Sequence, residues 1–197
     1  MGRAREGQRS VRAERTRAEL VRAAARTFDR DGFGGASLLR ISGEASASLG
    51  ALTFHFPSKS ALADEVQRQA RDVVRALIAQ TAIAGAEPLE AARLLTRDLV
   101  GALERDDRVR GAARLLRERE GAGPGWMVEW AVAVQLQFAR AARAGLLAPR
   151  AEPEEVAALV QYLMVGVEAA VRGRDSGVYP LQSARLWELL ERGIAAS

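Results

Sequence analysis

Residues 37–62 read SLLRISGEASASLGALTFHFPSKSAL. Two short helical patterns lie here with only a few residues between them. Ser37 is placed to cap a helix from Leu38 to about Ala45. Ser46 and Ala47 form a tight break, and Ser48 caps a second helix that reaches about Phe54. Ile41, Ala45, Ala47, Leu52 and Phe56 are apolar or small where the two helices and their support must touch. Leu49, Gly50, Ala51 and Thr53 are left pointing outward. Such a pair of helices describes a helix-turn-helix, whose second helix enters the DNA major groove. Small outward residues let that helix approach the duplex closely.

The charge balance points the same way. Residues 1–75 hold 14 Arg and Lys against 9 Asp and Glu, whereas residues 76–197 hold 15 against 16. The basic excess therefore lies in the first part of the chain, the pattern of a polyanion-binding end joined to a neutral body. A genome rich in G and C explains why Lys59 is the one lysine among so many arginines. It does not explain why acids fail to balance bases in one segment alone.

Other function classes find little support. There is no cysteine, which removes disulfides, thiolate nucleophiles and cysteine zinc sites. His55 is the single histidine; it forms no pair for a metal, and a Ser-His-Asp arrangement would have to run through the helix-turn-helix. Asp106-Asp107 and Glu154-Glu155 read as solvated helix ends, and GAGPG at 121–125 lacks the Lys-Ser/Thr of a phosphate loop. The chain reads as no enzyme, with no cofactor and no metal. The charged start MGRAREGQRS has no secretory pattern, and no apolar run approaches the roughly 20 residues of a membrane span. A cytoplasmic protein without a membrane partner is expected.

The remaining periodicity is helical almost throughout, so the fold class is all-α with nine or so helices. A basic arm is expected over 1–10. The first helix runs from Val11 to Arg30 with Leu20, Val21, Ala24 and Phe28 on one face, stopping at Gly32. After the helix-turn-helix come helices over about 58–84, 89–105, 106–120, 126–147, 154–171 and 180–194. The division expected is a DNA-binding domain over 1–57 and a ligand-binding and dimerisation domain over 58–197.

The run TRAELVRAAARTFDRDGF, followed by ASLLRISGEASASLGALTFHFPSKSAL, resembles the DNA-binding domain of TetR-family transcriptional regulators. The resemblance covers about residues 12–65. It implies three helices, a longer fourth helix, and an all-helical body that binds a ligand and dimerises. It places Ser37 and the cap Ser48 beside the DNA, Leu49, Gly50, Ala51 and Thr53 at base- and backbone-contacting positions, and His55 at the end of the recognition helix. Lys59 falls where the family contacts phosphate, a natural role for a cation at a helix start. Arg12 and Arg15, with Arg3, Arg5 and Arg9 of the arm, add positive charge. Three residues depart from the family: Ser46 stands for the turn Gly, Leu49 for Lys or Arg, and Thr53 for Tyr.

GALTFHFPSK, ARLLTRDLV, RLLRERE and EWAVAVQLQ resemble more narrowly the γ-butyrolactone-receptor branch, in which Trp130 matches a pocket tryptophan and WELLERGI the last helix. Trp126, Trp130, Val134 and Phe138 form one helical stripe, readable as core or as the wall of a ligand site. Thr96, Gln135 and Tyr162 are candidate hydrogen-bond partners there. Val156, Leu159, Val160, Leu163 and Val167 form one apolar face, and Leu186, Trp187, Leu190 and Ile194 another, for a four-helix dimer interface. The resemblance implies a homodimeric repressor on a palindromic double-stranded operator, released by a small apolar effector such as a γ-butyrolactone-like signal or an antibiotic. The alternatives are a regulator of drug efflux, or a sensor that acts through protein partners, which Leu49 and Thr53 motivate.

Overall fold

The computed structural model describes residues 2–119, 125–172 and 179–196, without the side chains of 2–7, 9, 172 and 179–183. These residues form nine helices: α1 (Gly2–Gly35), α2 (Leu38–Glu44), α3 (Leu49–His55), α4 (Lys59–Ala84), α5 (Pro88–Arg105), α6 (Asp107–Glu118), α7 (Trp126–Arg143), α8 (Pro153–Arg172) and α9 (Tyr179–Ile194). The all-α class is as the periodicity predicts. Most of 121–125 lies outside the described residues.

Two compact units share the chain: Met1–Ala70 with Asp107–Gly123, and Arg71–Asp106 with Pro124–Ser197. The boundary expected after Pro57 follows the end of the motif. Compactness instead keeps the start of α4 with the first unit and returns α6 to it.

In the first unit α1 buries Leu20, Val21, Ala24 and Phe28 completely, as its periodicity predicts, and packs along α6. The two backbones come close at Gly111, where an added Cβ would sit 2.5 Å from the Ala25 carbonyl oxygen. α1 starts earlier than expected: 2–10 are helical and not an arm. Arg, Ala, Glu and Gln dominate there and are strong helix formers. The side chains of Arg3, Arg5 and Arg9 lie outside the described residues. Gly32 breaks the helix with φ of 74°, a conformation that favours glycine. Ile41, Leu52 and Phe56 close the core beneath α2 and α3, joined by Leu62, Ala63 and Val66 of α4.

In the second unit α5 packs against α7, α8 and α9. Trp126, Trp130, Val134 and Phe138 form the buried stripe of α7. This helix ends at Arg143, short of the expected Leu147, because Gly145 takes a φ of 68°. The chain then turns so that Leu147 bridges Ala195, and the Ala148 N–H donates to the Ile194 carbonyl at 2.7 Å.

The apolar faces expected on α8 and α9 are corrected. Val156, Val160 and Met164 of α8, and Trp187 and Ile194 of α9, are buried in this unit's own core. Leu159, Tyr162, Leu163, Leu186 and Leu189 form the exposed apolar surface.

Candidate nucleic-acid interface and effector region

The helix-turn-helix is held by its own side chains. Ser37 Oγ accepts the Arg40 N–H at 3.2 Å, and Ser48 Oγ accepts the Ala51 N–H at 3.1 Å. Each cap satisfies a donor that the first turn leaves open. Between them Ser46 has φ of 51°, the left-handed region that Gly would occupy more readily. Its N–H donates to the Gly43 carbonyl and that of Ala47 to the Ser42 carbonyl. The turn is thus fixed despite the missing glycine.

α3 turns Leu52 inward and leaves Leu49, Gly50 and Thr53 exposed, with Ala51 half-buried. The space around Gly50 is open. Thr53 donates its hydroxyl to the carbonyls of Leu49 and Gly50 at 3.1 and 3.2 Å, so only its oxygen lone pairs and methyl face outward. Phe54 was not among the residues singled out from the sequence, yet it is 82% exposed. It lies a little over half a turn from Leu52, so the helical period already places it outside. His55 ends the helix, half-buried, with its ring edge-on to Phe54 at 5.2 Å.

Arg12 lines an open groove with Val11, Thr16 and Ser46, beside the turn. Arg15, on the same groove, pairs with Glu19 at 3.0 Å. Among the described residues Arg12 has no ion-pair partner, which leaves its guanidinium for a phosphate.

Lys59 is placed differently from its expected role. Its ammonium donates to the carbonyls of Phe33 at 2.6 Å and Ala36 at 2.9 Å, and lies 4.5 Å from the Phe33 ring centroid. An ammonium has three hydrogens, so at most one remains for DNA. The cation fastens the start of α4 to the end of α1 and to Ala36 just beyond it. Phe33 also donates its N–H to Glu118 at 2.7 Å and lies under the Arg119 guanidinium.

A second network supports the end of α3. Arg17 of α1 reaches Glu65 of α4 at 3.1 Å and stands 5.1 Å over the Phe56 ring. Arg68 chiefly, with Arg17 and Gln69, holds the Glu65 carboxyl down at about 2 despite its burial. The arrangement locks Phe56 beneath the recognition helix.

In the second unit the residues expected to surround a ligand separate into two groups. Trp126, Trp130 and Val134 are buried together. The Trp130 indole N–H donates to the Leu95 carbonyl at 3.1 Å, while that of Trp126 meets no acceptor among the described residues. Gln135 is exposed, and Tyr162 is 75% exposed on the outer face of α8. The helical period turns Gln135 away from Val134 on α7, and Tyr162 away from the buried Val160 and Met164 on α8. Thr96 is half-buried and donates its hydroxyl to the Ala92 carbonyl at 2.8 Å.

Residues 20–66 match the family described as bacterial regulatory proteins, tetR family. No curated protein matches by sequence. Among solved structures, the chain is similar to the TetR-family protein CprB of Streptomyces coelicolor in complex with its operator sequence, at 28% identity and a TM-score of 0.82, over 93% of this chain and 90% of that one. It is similar to an ArpA-like γ-butyrolactone receptor at 27% identity and a TM-score of 0.81, again over 93% and 90%. NalD of Pseudomonas aeruginosa, a repressor of a multidrug efflux pump, shares the fold at 22% identity and a TM-score of 0.70, over 94% and 99%.

Proposed function

Because this chain belongs to the TetR family of bacterial regulators, we propose that it is a homodimeric repressor which leaves its operator when a small molecule occupies the second unit. The observation that carries the reading is α3 itself. It is capped by Ser48, pinned from below by Leu52 and Phe56, and directs Leu49, Gly50, Thr53 and Phe54 outward. Arg12 supplies a cation on the same unit with no ion-pair partner among the described residues. Leu49 and Phe54 favour apolar contact with thymine methyl groups over bidentate contact with guanine.

The dimer reading rests on Leu159, Tyr162 and Leu163 of α8 with Leu186 and Leu189 of α9, apolar side chains that nothing covers among the described residues. A twofold pair of recognition helices reads a palindrome with half-sites about one helical turn apart, or a multiple of it. The effector reading rests on Trp126: its buried N–H, without an acceptor among the described residues, suits a mostly apolar ligand with one acceptor oxygen, such as a lactone. Trp130, with its N–H committed, serves as wall. The ligand must favour the conformation that does not bind DNA, since equal affinity for both would shift nothing. The protein acts in the cytoplasm by binding and catalyses no reaction.

Phe54→Ala tests the interface. Its stability should stay within about 0.5 kcal/mol of the parent, because the side chain is exposed. Affinity for the operator, measured by gel shift, should fall about tenfold. Unchanged affinity would remove α3 from the DNA.

A further inference from the structure

The second unit holds a cavity of about 430 Å³ between α5 and α9. Its floor is Trp187 with Val100. Trp187 is 8% exposed, and its ring stacks on Phe138 at 6.4 Å. Its indole N–H meets no acceptor among the described residues. A buried donor left unmade is costly, and native structures seldom keep one without reason. Thr96, also in the wall, has spent its proton on the Ala92 carbonyl and offers lone pairs only.

The rim carries four charged residues, and their partners decide its sign. Arg93 is forked onto Glu90, with both contacts at 2.5 Å. Arg97 is joined to Asp98 at 2.8 Å. Glu188 and Glu191, one turn apart on α9, have no ion-pair partner among the described residues, though Glu191 also feels the charge of Arg93. With the arginines neutralised by their neighbours, two carboxylates set the field at the mouth. Both lie on the side of α9 opposite Leu186 and Leu189, so the exposed apolar face and the cavity are separate features.

We propose that this cavity binds an amphipathic organic cation with a flat apolar body. Its charge faces Glu188 and Glu191, and its body lies against Trp187 and Val100. The volume suits a small drug-sized molecule, and an indole face favours a cation. The proposal does not rest on the DNA-binding reading, and it shares Thr96 and the stack on Phe138 with the surroundings of the α7 stripe.

The test is a fluorescence titration of the full chain with berberine, a flat quaternary cation, and with the anionic dye fluorescein. Berberine should bind saturably, one per chain, and fluorescein should not. The double variant Glu188→Gln, Glu191→Gln is at the surface and should fold as the parent does. It should weaken berberine about tenfold, the loss expected when charged partners are removed. Trp187→Phe should also weaken it while keeping the stack on Phe138. Trp126→Phe should leave it unchanged. No berberine binding, equal binding by the double variant, equal affinity for fluorescein, or loss of binding in Trp126→Phe would each overturn the proposal.

Discussion

Lys59 donates to the Phe33 carbonyl oxygen at 2.6 Å while its ammonium lies 4.5 Å from the centre of the same residue's ring. One cation thus holds both the backbone and the side chain that follow the break in α1. With the bond to Ala36, it sets where the recognition helix begins relative to α1. The one lysine of the chain is engaged in the assembly of the DNA-binding unit.

Lys59→Met keeps much of the stem and removes the donors. It should lower unfolding stability by about 1–3 kcal/mol, since two carbonyls lose a charged partner. Urea denaturation measures this. The salt dependence of DNA affinity should keep its slope. A slope lower by about one would return Lys59 to a phosphate.

Ser46→Gly should stabilise the protein by about 1 kcal/mol. Ser46 occupies left-handed space at φ 51°, where a Cβ is unfavourable and Gly is at ease. The gain is partly offset by the greater freedom of Gly in the unfolded chain. A loss of stability in the same denaturation experiment would mean that the turn needs the serine hydroxyl.

Gly111→Ala should destabilise by about 1–3 kcal/mol, the usual cost of forcing atoms into a packed site. The added Cβ would meet backbone, the Ala25 carbonyl oxygen at 2.5 Å, which cannot swing aside as a side chain would. A melting temperature equal to the parent's would show that α1 and α6 separate freely.

Glu65 makes stability depend on acid. Its folded value of about 2 lies below the ordinary 4.5, so the folded state binds the proton less tightly than the unfolded one. Its contribution is present in full above about 4.5 and is lost as pH falls towards about 2. Glu65→Gln should therefore be less stable than the parent near neutral pH, with the gap closing over that window. A gap that stays constant with pH would contradict the network of Arg17, Arg68 and Gln69.

Local signals carried much of this structure. Ser37 and Ser48 are helix caps within three residues of the N–H groups they satisfy, and so both short helices could be read from their own letters. The stripe of Trp126, Trp130, Val134 and Phe138 was equally plain from its spacing. Lys59 was not legible, because its partners Phe33 and Ala36 lie on another element and are met only after folding. The end of α7 was hidden for a similar reason: the pairing of Leu147 with Ala195 joins segments far apart in sequence. On α8 the apolar residues cover more than one face, and periodicity alone could not say that Val156 and Val160 turn inward while Leu159 and Tyr162 turn out. Phe54 could have been found from its phase against Leu52. That the N–H groups of Trp126 and Trp187 meet no acceptor among the described residues could be seen only from the surrounding atoms.

The central claim is that two copies of α3 read one duplex. Selection of bound duplexes from a random pool by the full chain, followed by the mass of the recovered complex, tests it most directly. The account predicts enrichment of an inverted repeat that carries two protein chains per twofold site, with affinity that falls steeply as salt rises. Failure to enrich any duplex even at low salt, or enrichment of a site without twofold symmetry bound by a single chain, would contradict it.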